Sequence, residues 1–354
     1  MIRSVSYTSL EIPMEKEFRI SLGSTHSYEG SIITIETDDG GRGYGEAVPT
    51  PFITGETMES IAAALKLLKP AIEGMDETDT ESIADVMEKT VVGSYAAKCA
   101  IDTALWDLIG KKAGVPLYKL LGGYRKSIRT SFTIDIGTME EVEKYTREFV
   151  EAGLKTIKVK LGRGLREDYE RVKRTRQTAG DDITIYVDFN QSYSAKKAVE
   201  LSRDIHKFEL EFLEQPTPAH DIAGLKFVRD HSDIPVMADE SVHGPEDAMK
   251  IVMSEAADMI NMKMMKAGGI TRGRKIINIA EGAGLPVMIG CMVETKIAVT
   301  AGTHLALGMK NVKYADLDGY SSLKKDITTG GLELKNGENT VSGRPGLGLD
   351  VSLK

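Results

Sequence analysis

Residues 156–162 read "TIKVKLG". Strand side chains alternate with a period of two, so Ile157, Val159 and Leu161 share one face and Lys158 and Lys160 the other. If the lysine face is buried, each ammonium costs several kcal/mol unless it is paired or neutralised. Taken alone, the heptapeptide also fits an edge strand with its lysines in water. The flanking sequence chooses between the two.

From about residue 128 the chain repeats a strand–helix unit. The strand candidates are "RTSFTIDI", "TIKVKL", "ITIYVDFN", "ELEFLEQP", "PVMADE", "MINMK", "PVMIGCM" and "VKYADLD". Helical stretches such as "TMEEVEKYTREFVEAG" and "GRKIINIAEGAG" separate them. This alternation predicts an α/β fold, a parallel (β/α) barrel whose helices cover the strand exteriors. In such a barrel Ile157, Val159 and Leu161 pack on helices, and Lys158 and Lys160 point inward.

The strand ends then fall into step. Lys160, Asp188, Glu214, Asp239 and Lys263 close successive strands at intervals of 28, 26, 25 and 24 residues. All five are thereby placed at the C-terminal rim, where barrel enzymes build their active sites. One acidic residue at a strand end reads equally well as a helix N-cap. Three converging carboxylates would repel one another, and an all-oxygen set suits a hard cation such as Mg²⁺. Lys160 and Lys263 lie on opposite strands of an eight-strand barrel and would flank a substrate held there. A divalent cation and neighbouring ammonium groups lower a lysine pKa, which would make a neutral amine base available. One base on each face of a carbon acid is the apparatus for 1,1-proton transfer. Parity puts Asn261 on the face of Lys263, whereas Lys266 lies beyond the strand and reads as structural.

Residues 1–125 read as an α+β unit, with strand-like segments at 4–12, 29–39 and 43–48 and three helical patterns. The organisation expected is a capping domain (1–125), a barrel (126–320) and a C-terminal segment (321–354) that returns to the first unit. The 354 residues carry a net charge of −8, which offers no basic field to nucleic acid or an anionic membrane. Two cysteines imply no disulfide framework and fit a reducing cytoplasm. No stretch approaches the ~20 apolar residues of a membrane span.

The ordered motifs "GYGEA", "ITGET", "KVK", "VDFNQ", "LEQP", "MADES" and "NMKMMKAGGI" resemble the enolase superfamily, in its muconate-lactonizing-enzyme subgroup, over essentially the whole chain. The resemblance implies Lys160 and Lys263 as paired acid/base lysines and Lys158 as their electrostatic support. It also implies Asp188, Glu214 and Asp239 as Mg²⁺ ligands, with Asn190 behind them. Two departures are mild: Phe189 stands where a small residue is common, and methionines flank Lys263.

Members of the subgroup include dipeptide epimerases, cycloisomerases, o-succinylbenzoate synthases and N-acylamino-acid racemases. Asp316 and Asp318 in "YADLDG" resemble the D-x-D pattern by which dipeptide epimerases hold a free amino terminus, although Asp-Gly also favours turns. The resemblance therefore implies a dipeptide substrate and an epimerase, with the other three activities as alternatives on the same scaffold. A homo-oligomer is also expected. Ala-Glu epimerases are expected to carry an arginine in the capping-domain loop. Here that loop reads "RISLGSTHSYEG", with Gly23, Ser24 and Thr25 in the region, Arg19 on a neighbouring strand and His26 a weak candidate. Apolar C-terminal residues are therefore expected, with Phe18, Leu22 and Ile53 as pocket walls. Thr133, Cys291 and Glu294 are expected to line the pocket from the barrel side, and Thr295 or Lys296 to start the next helix.

Overall fold

The chain opens on an antiparallel sheet of β1 (Ile2–Ile20), β2 (Gly23–Thr37) and β3 (Arg42–Ala47) in the computed structural model, which describes residues 1–353. The expected strands at 4–12 and 29–39 are parts of one long hairpin. The stretch read as a loop, "RISLGSTHSYEG", is its paired tip. Register breaks between Pro13 and Phe18, where proline has no N–H to offer the ladder. Past the break the tip lies on the barrel: Ile136 N donates to Arg19 O at 2.9 Å and Ser21 Oγ to Asn190 O at 3.1 Å.

Helices α1 (Met58–Ile72), α2 (Thr80–Thr90) and α3 (Tyr95–Ala113) follow. In "GYGEA" a Cβ on Gly43 or Gly45 would strike the α3 backbone at Ala104 or Ala100, so glycine lets β3 lie directly on that helix. Most α3 residues are buried, because the other side of the helix meets the barrel. Trp106 Nε1 donates to Thr271 Oγ1 at 3.0 Å, and Asp102 accepts from Ile270 N at 2.6 Å.

The short α4 (Leu117–Leu120) and β4 (Ile128–Arg129) lead into the repeating unit. Its strands are β5 (Phe132–Ile134), β6 (Thr156–Lys160), β7 (Thr184–Asp188), β8 (Leu213–Glu214), β9 (Val236–Ala238), β10 (Met259–Lys263), β11 (Val287–Gly290) and β12 (Val312–Asp316). They pair in sequence order, all parallel. Ser131 N donates to Ala315 O at 3.0 Å, so the first strand meets the last. The intervening helices are α5 (Met139–Glu151), α6 (Leu165–Ala179), α7 (Ala195–Ile205), α8 (Ile222–His231), α9 (Pro245–Ser254), α10 (Met264–Ala267), α11 (Ile270–Gly282) and α12 (Lys296–Gly308). The architecture is an eight-stranded parallel α/β barrel with an α+β cap.

The period of two sorts the barrel cleanly. Ile157, Val159 and Val187 join the large core beneath the helices. On the inward face Tyr186, Phe212, Met237, Met259 and Met288 form a separate apolar plug. Two residues further along the same strands stand Asp188, Glu214, Asp239 and, from Met259 by way of Asn261, Lys263. The plug carries the polar rim on a dry floor.

The last strands are β13 (Thr328–Gly330), β14 (Leu332–Lys335), β15 (Glu338–Val341) and β16 (Leu349–Val351). β15 pairs with both β14 and β4. The same segment touches the first unit, through a Met14–Leu323 bridge and Leu347 N on Asp107 Oδ1 at 2.8 Å. Among the described residues no helix is long and apolar enough to cross a membrane.

Candidate active site

Lys160, Asp188 and Glu214 are register neighbours on β6, β7 and β8. Ligating oxygens of Asp188, Glu214 and Asp239 lie within 4.8 Å of one another, and all three residues are fully buried. Lys158 Nζ sits among them, 3.0 Å from Asp188 Oδ2, 2.9 Å from Glu214 Oε2 and 2.7 Å from Asp316 Oδ2. Lys160 Nζ meets Asp188 Oδ2 at 2.7 Å and Asn190 Oδ1 at 2.9 Å. From the other side Lys263 Nζ lies 2.9 Å from Asp239 Oδ2. The two lysines therefore flank one carboxylate cluster from β6 and β10, four strands apart in a ring of eight.

Supporting groups hold the carboxylates. Asn261 Nδ2 donates to Glu214 Oε1 at 2.6 Å, as its parity with Lys263 requires. Lys266, fully buried, donates to the Asp239 carbonyl oxygen at 2.5 Å and also contacts Oδ1. Asn190 Nδ2 donates to Glu240 Oε1 at 3.0 Å. Ser131 Oγ donates to Asp316 Oδ1 at 2.8 Å, and its partner Tyr186 OH is 2.7 Å away. Motif reading passed over Ser131, Glu240 and Tyr186; Ser131 shares strand parity with Thr133, and Tyr186 with Asp188.

Electrostatics agree with a cation centre. Burial alone would raise the Asp188 carboxyl, but Lys158 and Lys160 outweigh it and bring it down to about 2. Glu214 is pushed up to about 8 by burial and by the charge of Asp188. Glu214 Oε2 and Asp239 Oδ2 are buried and accept no aligned hydrogen bond. Five buried carboxyl groups (Asp188, Glu214, Asp239, Glu240, Asp316) and the half-buried Asp318 face four buried lysines (Lys158, Lys160, Lys263, Lys266), leaving acid in excess. These residues fit a divalent oxygen-seeking ion. Burial disfavours the Lys263 ammonium, yet Asp239, Glu214 and Glu240 outweigh it and hold the pKa above its ordinary value. The acidic cluster by itself raises Lys263; positive charge held between the carboxylates would offset that pull.

A cavity of about 890 Å³ opens above this floor. Lys158, Lys160, Asn190, Lys263, Cys291, Thr133, Asp316 and Asp318 line it from the barrel, and Phe18, Gly23, Ile53 and His26 from the cap. Asp318 accepts from Thr133 N at 2.8 Å, with Cys291 Sγ 4.0 Å from its other oxygen. Burial and the neighbouring Asp316 push its carboxyl up to about 6. Two expected lining residues are elsewhere. Leu22 is at the hairpin tip, 37% exposed. Glu294 turns back from the cavity: it accepts from Met292 N at 2.9 Å, is buried, and feels the charge of Glu46. Glu46 in turn caps α12, accepting from Thr295 N at 2.8 Å and Ala298 N at 3.0 Å. Arg19 contacts Glu141 at 3.3 Å and does not line the cavity.

Comparison with known proteins supplies the family. Residues 3–122 match the family described as "Mandelate racemase / muconate lactonizing enzyme, N-terminal domain", and residues 141–354 match "Enolase C-terminal domain-like". The chain belongs to the mandelate racemase/muconate lactonizing enzyme family of the enolase superfamily. It is an isomerase of the racemase and epimerase class. It is 38% identical to the L-Ala-D/L-Glu epimerase of Clostridium acetobutylicum, over 99% of both chains. It is 40% identical to the hydrophobic dipeptide epimerase of Enterococcus faecalis, over 94% of this chain and 95% of that one. The Enterococcus faecalis enzyme complexed with Mg and L-Leu-L-Tyr superposes with a TM-score of 0.97, covering 99% of each chain at 39% identity. A substrate-liganded L-Ala-D/L-Glu epimerase from Bacillus subtilis gives 0.98 at 35% identity, covering 100% of this chain and 99% of that one.

Proposed function

We propose that the protein is an Mg²⁺-dependent epimerase of L,L-dipeptides that favours apolar over acidic C-terminal residues. The family and the dipeptide epimerases among its relatives support the reaction class. The observation that carries the apolar preference is the charge of the cavity wall. Among the described residues its lysines are Lys158, Lys160 and Lys263 on the floor and Lys16 at the edge, and no arginine lines it. Lys16 is already paired with Asp135 at 2.9 Å. A buried glutamate side chain would find no free counter-charge there, whereas Phe18, Ile20, Phe52 and Ile53 offer apolar surface.

In this reading Asp188, Glu214 and Asp239 hold the ion, which supplies positive charge that eases removal of a proton beside a carboxylate. Lys160 and Lys263 each face one side of the C-terminal α-carbon. One removes the α-proton and the other returns a proton to the opposite face. Asp318, with Asp316 beside it, takes the N-terminal ammonium by charge-assisted hydrogen bonds. Lys158 stays protonated, because Asp188, Asp316 and Glu214 outweigh its burial and hold its pKa well above the ordinary value.

The test is a pool of L,L-dipeptides incubated with enzyme and Mg²⁺ in D₂O, read by mass spectrometry. Dipeptides with apolar C-terminal residues should take up α-deuterium faster than L-Ala-L-Glu. Preference for L-Ala-L-Glu would overturn the specificity. No uptake by any dipeptide, with turnover of a succinylbenzoate precursor or an N-acylamino acid instead, would overturn the activity.

A further inference from the structure

Two-base chemistry requires that Lys160 Nζ be held on one side of the reacting carbon, so the backbone at the end of β6 must not move. Sheet pairing alone leaves that end short of donors. Leu161 N donates to Asp188 O on β7 at 2.8 Å, so the Lys160 carbonyl faces β5, where the N–H next in register, that of Ile136, donates to Arg19 O of the hairpin at 2.9 Å. The Lys160 carbonyl accepts instead from Arg171 Nε at 3.2 Å.

Arg171 projects from α6 and is fully buried, yet among the described residues no carboxylate lies within ion-pair range of it. Its guanidinium is spent on three backbone carbonyls: Lys160, Asp135 at 2.6 Å and Gly137 at 2.7 Å. Asp135 and Gly137 follow β5, and Lys160 ends β6, so one rigid fork spans two strand ends. Asp168, one turn earlier on α6, accepts from Gly162 N at 2.7 Å, Arg163 N at 3.1 Å and Tyr193 OH at 2.5 Å. The same helix face thus clamps the chain on both sides of the turn that leaves Lys160. The Asp135 side chain receives Lys16 Nζ at 2.9 Å and Arg19 N at 3.3 Å, which ties the hairpin to the clamp.

Burying a guanidinium against neutral carbonyls is costly, and an apolar side chain would serve helix packing better. The geometry points to another role: we propose that Arg171 is a positioning residue for Lys160, fixing the carbonyl end of its strand while leaving Lys263 untouched. Lys263 stands four strands away, and its partner Asp239 is held by Lys266. An ammonium cannot span three carbonyls in a fixed plane, so lysine at position 171 should not replace the fork.

The inference rests on the two-base reading above and predicts an asymmetry that general destabilisation would not produce. Arg171→Lys and Arg171→Met enzymes are compared with wild type in D₂O and Mg²⁺, starting separately from each epimer of one apolar dipeptide. The ratio of α-deuterium exchange rates between the two epimers should shift by about tenfold or more, as expected of a base displaced by a fraction of an ångström. The epimer whose proton faces Lys263 should keep exchanging without epimerising. A smaller shift in that ratio, with both exchanges falling together, overturns the role. Wild type that exchanges neither epimer removes the dipeptide reading instead. In that event the crystal structure of Arg171→Met judges the positioning: loss of the 2.7 Å contact between Lys160 Nζ and Asp188 Oδ2 supports it, and an unmoved Lys160 overturns it.

Discussion

Lys158 Nζ lies 2.7 Å from Asp316 Oδ2, joining β6 to β12 across the first barrel strand. The same ammonium neighbours two of the proposed metal ligands. Replacing it with methionine leaves three buried carboxylates short of a counter-charge, and breaking such a pair costs about 3–5 kcal/mol. Lys158→Met should lower the urea midpoint accordingly and abolish turnover. High Mg²⁺ should recover part of the stability and none of the activity.

Gly23 faces the cavity, and a Cβ built there meets only Phe52 Cε1 at 3.9 Å. Gly23→Arg therefore places a cation in the cap wall with room for its Cβ. The ratio of kcat/KM for L-Ala-L-Glu to that for a dipeptide ending in leucine should rise by about tenfold or more, the worth of one charged hydrogen bond. An unchanged ratio would show that the hairpin tip does not contact the C-terminal side chain.

Chelation tests the acid excess at the floor. With EDTA the enzyme should lose activity, and its Tm should fall, because an ion that binds only the folded state stabilises it by mass action. Adding Mg²⁺ back should restore both. A Tm indifferent to the ion would mean that the carboxylate cluster is satisfied without it.

Glu294 is pushed up to about 8 by burial and by the charge of Glu46, from an ordinary 4.5. Between those values the native state keeps a proton that the unfolded chain has released. Stability from this group is therefore greatest at low pH and falls as pH rises toward 8, at up to roughly 1.4 kcal/mol per pH unit. Glu294→Gln removes the slope. Its unfolding free energy relative to wild type should grow with pH across that window and level off above it. A difference independent of pH would place the proton elsewhere.

Much of the barrel is written in short-range pattern. The alternation in "TIKVK" separates core from rim, and the near-constant spacing of Lys160, Asp188, Glu214, Asp239 and Lys263 places them on one edge. What the pattern missed depends on contacts between distant segments. The tip around Gly23 lacks strand alternation, yet it pairs as a hairpin because Ser21 and Arg19 find backbone partners on the barrel. Glu294 looked like a cavity residue from its place after β11. It turns inward instead, toward a site built around Glu46, far away in the sequence. Arg171 sits in the polar helix "LREDYERVKRTRQTA", where nothing local separates a buried arginine from its exposed neighbours. The resting charge of Lys263 likewise follows from how many carboxylates converge on it, a sum that one strand does not reveal.

The central claim is that Lys160 and Lys263 act on opposite faces of one α-carbon. Lys160→Ala and Lys263→Ala enzymes, loaded with Mg²⁺ in D₂O and given each epimer of an apolar dipeptide separately, test it most directly by α-deuterium uptake. Each variant should lose epimerisation and keep exchange on one epimer only, and the two variants should keep opposite epimers. Epimerisation at the wild-type rate by either variant, or exchange of the same epimer by both, would contradict the account.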